Sequence, residues 1–166
     1  FRNWANDPQV TKYLSWEPHK DVEETKQILE GWIKSYESKD FYTWAIARKE
    51  DEGNVIGSIS VPQLNQKAGR VTVGYCLGRN WWGHKIMKDA FAELIRFFFE
   101  VEGANRVEAL HDTRNVNSGK VMAACGLKKE GTLRRYGWNN QGICDECIYG
   151  MVASDYFEGK QRWENK

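Results

Sequence analysis

Proline and cysteine are scarce here, three and four in 166 residues, and the charges nearly cancel, 24 Lys and Arg against 23 Asp and Glu. With so little proline, no low-complexity stretch and no internal repeat, nothing divides the chain into linked pieces. So few cysteines exclude a disulfide framework. Cys76, Cys125, Cys144 and Cys147 sit in apolar contexts and read as free thiols of a cytoplasmic protein. Cys144-Asp-Glu-Cys147 lies inside a strand-like run with no second pair to complete a zinc site, so no metal is expected. A formal charge of +1 excludes the basic face that non-specific nucleic-acid binding needs, and likewise a polybasic membrane anchor. No apolar run approaches the ~20 residues of a membrane span. The bulkiest, Leu94–Phe99, is interrupted by Arg96.

What is abundant is aromatic: eight Trp, seven Tyr and seven Phe, within 41% hydrophobic residues. That content supports a large core, a lined groove, or both. A chain of this length buries roughly 68–70% of its unfolded surface and folds without metal or disulfide. The expectation is one domain over residues 1–159 and a frayed polar tail over 160–166.

The hydrophobic pattern predicts an order αα-βββ-α-β-α-ββ, an α/β (mixed α+β) chain. FRNWANDPQVTKYLSW reads as a short helix ended by Asp7-Pro8, then another turn of helix. Asp21-Val-Glu-Glu24 opens a second helix with acidic residues in its first turn. FYTWAIARK, NVIGSISVPQL and RVTVGYCLG form a meander turning at Asp51–Asn54 and Lys67–Gly69. The longest helix runs from about Gly83 to Glu100, with Ile86, Ala90, Leu94, Phe97 and Phe98 on one face, widened by Met87, Phe91 and Ile95. RVEALHD is a strand, and NVNSGKVMAACGL a helix with a Schellman end at Gly126-Leu127. GTLRRYGW and ICDECIYGMV close the chain as a hairpin around Asn139–Gly142.

Two junctions could carry chemistry. At GYCLGRNWWGHKIM a strand turns into the long helix. Its opening amides and dipole make an anion site, with His84 and Lys85 beside it, although an ordinary helix start would look the same locally. At Asn115-Val-Asn-Ser118, residues suited to capping also place an amide and a hydroxyl at the carboxyl end of a neighbouring strand, where ligands of open sheets lie. Candidate bases are Glu17, His19, His111, Asp112, Asp145 and Glu146. No recognisable signature surrounds any cysteine, so a Cys–His nucleophile is rejected.

The element order with these junctions resembles the GNAT superfamily of acetyl-CoA-dependent N-acetyltransferases, most closely the branch that acetylates ribosomal-protein N-termini (the Rim type). The resemblance spans FRNWANDPQVTKYLSWEPH, VGYCLGRNWWG and ANRVEALHDTRNVNSGKVMAACGLKKEGTLRR. It implies a central, mainly antiparallel sheet flanked by helices, with one strand pair splayed to admit coenzyme A. Tyr75, Cys76 and Leu77 would meet the pantetheine arm, and Trp82, Gly83, His84, Lys85, Ile86 and Met87 the pyrophosphate. Asn115 would touch the cofactor arm, Ser118 would be the acid toward the departing thiolate, and Asp145 a substrate-side carboxylate. Glu17 and the aromatics Trp16, Tyr42, Trp44 and Tyr136 would line the acceptor groove, unless they simply pack.

The implied reaction is direct acetyl transfer to a primary amine, a protein N-terminus or a small molecule. The amine must be neutral to attack, so a base or a desolvating site is required. Two departures stand out. Lys85 and Met87 replace the small residues of the family's phosphate loop, where Gly lets the backbone take a positive φ. The family's first strand does not precede the WANDP segment: either the sequence begins after it, or the sheet lacks an edge strand and the edge left exposed makes a homodimer plausible. The alternatives are a non-catalytic acyl-CoA sensor on the same fold and a Trp-rich carbohydrate-binding β module.

Overall fold

Asp7 and Pro8 begin a helix rather than end one. The Asp7 carboxylate accepts from the Gln9 amide and Pro8 takes the first helical position, where a missing N–H costs nothing, giving α1 (Pro8–Thr11). The structure, a computed structural model, describes residues 4–164, with side chains through Lys160; the Phe1–Asn3 part of the expected first helix lies outside the described residues. Helix α2 (Val22–Ser35) is capped by Asp21, whose carboxylate accepts from the Glu24 amide, as its acidic first turn predicts.

Strands β1 (Thr43–Arg48), β2 (Asp51–Asn65) and β3 (Arg70–Leu77) form the antiparallel meander. The first turn falls at Lys49-Glu50, so Asp51–Asn54, expected to be that turn, already belong to β2. A short 3-10 turn (Arg79–Trp81) leads to α3 (Ile86–Glu100), three residues later than the sequence suggests because Gly83 and Lys85 both hold positive φ. Then come β4 (Arg106–Asp112), α4 (Val116–Ala124), β5 (Lys128–Asn139), β6 (Gly142–Val152) and α5 (Ala153–Glu164). The Schellman end of α4 forms as predicted: Gly126 at φ 89 donates to the Ala123 carbonyl and Leu127 to that of Met122. The polar stretch from Lys160, read as a frayed tail, is helical through Glu164.

The six strands make one mixed sheet in the order β1-β2-β3-β4-β6-β5. Only β3 and β4 run parallel. Alternation along them sends Val71, Val73, Val107 and Ala109 into the main core, where they join Phe91 and Phe98 of α3 and Met122 of α4. The buried stripe of α3 centres on Met87, Phe91, Leu94, Ile95 and Phe98. Ile86, Ala90 and Phe97, placed at its centre by the sequence, flank it. Thr72 and Glu108 point to the opposite face and hydrogen-bond at 3.0 Å. Arg106 joins that pair, binding Glu108 at 2.7 Å and Glu130 of β5 through two further bonds.

Candidate active site

The parallel pair sets the site. Strands β3 and β4 are in register from Arg70 opposite Arg106 to Val73 opposite Ala109, and there the pairing stops. Gly74–Leu77 still pair with Gly57–Ser60 of β2, but on the β4 side their backbone has no strand partner. Unpartnered peptide groups need a hydrogen-bonding ligand or water. One carbonyl is already satisfied, since the Trp82 indole donates to Leu77 at 2.7 Å and ties the turn to the strand end.

The splay opens into a cavity of about 850 Å³. Its floor is the turn into α3. Gly83 has φ 80 and open space where a Cβ would stand, and Lys85 sits in the left-handed region at φ 65, ψ 0, with no side-chain cap on the helix. The first amides of α3 therefore remain available. Of the residues expected to contact coenzyme A, Tyr75, Cys76, Leu77, Trp82, Gly83, Lys85, Ile86, Met87, Asn115 and Ser118 all line this cavity. His84 does not. Its Nδ1 lies 2.9 Å from the Trp82 carbonyl on the exposed side of the turn.

The far wall is α4. Asn115 is its N-cap residue by position, yet its side chain makes no capping hydrogen bond, so capping does not explain this asparagine. Ser118 Oγ lies 2.9 Å from the Tyr75 hydroxyl, which also donates to the Ser118 carbonyl at 3.0 Å. A tyrosine hydroxyl has one proton, so when it serves the carbonyl the serine proton points to the phenol oxygen. Burial pushes the Tyr75 phenol well above its ordinary value, although the hydrogen bond with Ser118 pulls the other way. The pair is a neutral, linked donor set. Cys76 also lines the cavity, but burial raises its pKa and its partner, 3.4 Å away, is the Ser58 hydroxyl. It has neither the base nor the positive neighbour that activates a thiol.

The residues expected on the acceptor side are not brought together. Tyr42 and Trp44 pack on Phe97 and Phe98 of α3. Trp16 packs edge-on against Trp4 and at a tilt against His19, Glu17 is exposed, and Tyr136 stands 63% exposed on β5. None of the five lines the cavity. Asp145 does not either, because its carboxylate turns to the β5 edge and accepts from the Arg135 amide at 2.7 Å. Periodicity cannot distinguish an aromatic that packs on a helix from one that faces a groove. For Tyr42 and Trp44 the packing alternative is the one observed.

Sequence reasoning missed the side chains that do complete the wall. Residues Gln9–Leu14 cross the cavity, and Tyr13 lies between two cations, Lys12 at 5.2 Å and Arg114 at 5.9 Å from its ring. Lys12, Lys85, Lys88, Arg114 and Lys120 all line the space, and no Asp, Glu or His of the described residues does. In a chain with balanced charge that segregation marks a site for anions. Burial would raise the Asp112 carboxyl, but hydrogen bonds from Arg114 and Asn139 outweigh it and hold it well below the usual range. Glu146, its partner across the sheet, is shifted the other way by burial and by the Asp112 charge.

Unpaired strand backbone, an open helix start, a row of cations and room for a drug-sized ligand together fit an extended phosphate-bearing molecule such as coenzyme A. A family model described as Acetyltransferase (GNAT) domain matches residues 1–128. The uncharacterized N-acetyltransferase p20 of Bacillus licheniformis is 31% identical over 154 residues, covering 92% of this chain and 85% of that protein. The [ribosomal protein uS5]-alanine N-acetyltransferase of Escherichia coli (strain K12) is 23% identical over 152 residues, covering 87% and 77%. Among solved structures, the ribosomal-protein-S5-alanine acetyltransferase from Vibrio fischeri matches with a TM-score of 0.74 at 25% identity, over 93% of this chain and 88% of that one. The chain belongs to the GNAT family of acetyltransferases, enzymes that use acetyl-CoA as the acetyl donor.

Proposed function

We propose that this enzyme transfers the acetyl group directly to a primary amine, either a protein N-terminus or a small-molecule amine. The observation that carries the reading is the break in β3–β4 pairing after Val73 and Ala109, opening onto the helix start at Lys85–Met87. Backbone around Tyr75 and Cys76 would hold the pantetheine arm, and the amides from Gly83 to Met87 with Lys85 the pyrophosphate. Bound acetyl-CoA supplies an activated thioester. Ser118 would donate its proton to the departing sulfur and recover one from the water that takes the amine's proton, with the Tyr75 hydroxyl holding the serine in place. Direct transfer is favoured because Cys76 is buried, raised in pKa and unassisted.

Loss of the amine's proton does not need a carboxylate at this site. Of the described residues no Asp, Glu or His lines the cavity, so a water is the group left to take the amine's proton. This replaces the role expected of Asp145. Lys85 and Met87 do not favour a non-catalytic sensor, since Lys85 takes the positive φ that a glycine would. The four free thiols suit the reducing cytoplasm, which is the location this reading assigns. The edge strand β5 offers a contact for a homodimer.

Calorimetric titration with acetyl-CoA, then thiol release against a panel of amines, tests the reading. Micromolar binding with turnover on an amine is expected. Folded protein that binds no acetyl-CoA would refute it.

A further inference from the structure

The turn between β5 and β6 looks on sequence like a simple hairpin connection, but its two asparagines are engaged elsewhere. Asn140 donates from its side chain to the Thr11 and Trp16 carbonyls, at 2.9 and 2.8 Å, and from its amide to Leu14 at 3.2 Å. Asn139, 3% exposed, donates to the Asp112 carboxylate at 2.7 Å and accepts from the Gln141 amide. Asp112 in turn holds Arg114 in a two-pronged ion pair, and Arg114 faces the Tyr13 ring. One turn thus grips both partners of the same contact, Tyr13 through Asn140 and Arg114 through Asn139 and Asp112.

The gripped segment is a strap. Its ends meet where the His19 amide donates to the Ala5 carbonyl, at 2.9 Å. Near its start Asp7 pairs with Arg79 of the turn preceding α3, at 3.1 Å, and Asn140 holds its middle, at Thr11, Leu14 and Trp16. Tyr13 lies within that middle, at the second tether, beside Arg114 rather than beside the phosphate loop. We infer that the Asn139-Asn140 turn clamps the strap against the end of β4, fixing Tyr13 and Arg114 as the acceptor-side wall. Asn140 is then a positioning residue for acceptor affinity rather than for acetyl-CoA affinity. The functional half of this inference rests on the acetyl-transfer reading above; the structural half does not.

Asn140→Asp keeps the shape of the side chain but sets an acceptor against two carbonyl oxygens, and Asn140→Ala removes the donors without repulsion. Hydrogen exchange tests the clamp itself. In either variant the Leu14 and His19 amides should exchange about tenfold faster, with β4 and β6 amides unchanged. Unchanged exchange in the strap would overturn the clamp. Thiol release with a peptide bearing a free N-terminal alanine then tests its use. The peptide KM should rise about tenfold in Asn140→Asp, with kcat and the acetyl-CoA Kd within about twofold of the parent. Tyr13→Ala should do the same, and the double variant Asn140→Asp/Tyr13→Ala should be no worse than Tyr13→Ala alone. Additive effects, or an equal loss of acetyl-CoA affinity, would overturn the positioning role. If acetyl-CoA binds but no amine is acetylated, the transfer reading fails while the exchange experiment still decides the clamp.

Discussion

Lys85 is the residue at which local preference and function pull apart. A side chain in the left-handed region costs roughly 1–2 kcal/mol relative to glycine, and the chain accepts that cost at the entrance to α3. Lys85→Gly relieves it but gives the unfolded chain more freedom, worth about 0.5–1 kcal/mol. The expected result is a melting temperature that rises by no more than a few degrees. Acetyl-CoA affinity should fall about three- to tenfold as one cation leaves the phosphate end, and the loss should shrink at high salt. Titration calorimetry at two salt concentrations checks this. Ser118 makes a different kind of prediction. Among the described residues its Oγ hydrogen-bonds with Tyr75, and in the proposed reaction it serves the leaving group rather than ground-state binding. Ser118→Ala should lower kcat about 10²-fold with little change in either KM, measured by steady-state thiol release. An equal rise in the acetyl-CoA KM would instead assign the hydroxyl to binding.

Among the elements, the ends of β4 and β6 put two carboxylates with opposite shifts in register, Asp112 against Glu146. Asp112 holds its proton more weakly in the folded state, so it stabilises the fold above the unfolded carboxylate value. That contribution drains away as pH falls below about 4. Glu146 holds its proton more tightly when folded. Its contribution is favourable at low pH and turns into a penalty as pH rises through its raised pKa. Glu146→Gln should therefore stabilise by about 0.5 kcal/mol at pH 7 and by almost nothing at pH 4, as melting temperatures across pH would report. The packing of α4 on β4 is equally specific. A Cβ at Gly119 would lie 2.6 Å from His111 Nε2, inside the core. Gly119→Ala should thus destabilise by about 1–3 kcal/mol despite its better helix propensity, read from urea unfolding. Residues like these show what the sequence could and could not disclose. Strand β4 and the Gly126 end of α4 were legible because alternation and a left-handed glycine are local signals. Asp7-Pro8 was read backwards because the same pair can stop one helix or start the next. The wall of the cavity formed by β3 and the turn into α3 is legible because it follows one strand–turn–helix junction. The strap wall is not, since Asn140 reaches Thr11 across 129 positions and no periodicity encodes that contact.

For the whole molecule, the feature that matters is that its one parallel pair is closed at one end and open at the other. The closed end is locked on the face away from the core, where the 8%-exposed Glu108 side chain accepts from Thr72 and Arg106, and Arg106 bridges on to Glu130 across β6. Removing the carboxylate alone would leave Arg106 half-paired in a crowded place. Glu108→Ala should cost about 3 kcal/mol, within the range for breaking a buried pair. The open end has the converse property. Its walls come from the strap, β3, the turn into α3 and α4, segments far apart in sequence. A ligand seated there joins them, and it binds only the folded chain. At a hundredfold excess over Kd the linkage is worth about 2.7 kcal/mol, which for a domain of this size shifts the melting temperature by roughly 5–10 °C. Acetyl-CoA should produce that shift in the parent. In Glu108→Ala it should produce a similar shift from a lower starting temperature, because the lock lies outside the cavity. A variant whose melting temperature no longer responds to acetyl-CoA at any concentration would show that the closed end also shapes the binding site, and that the two ends of the pair work as one unit.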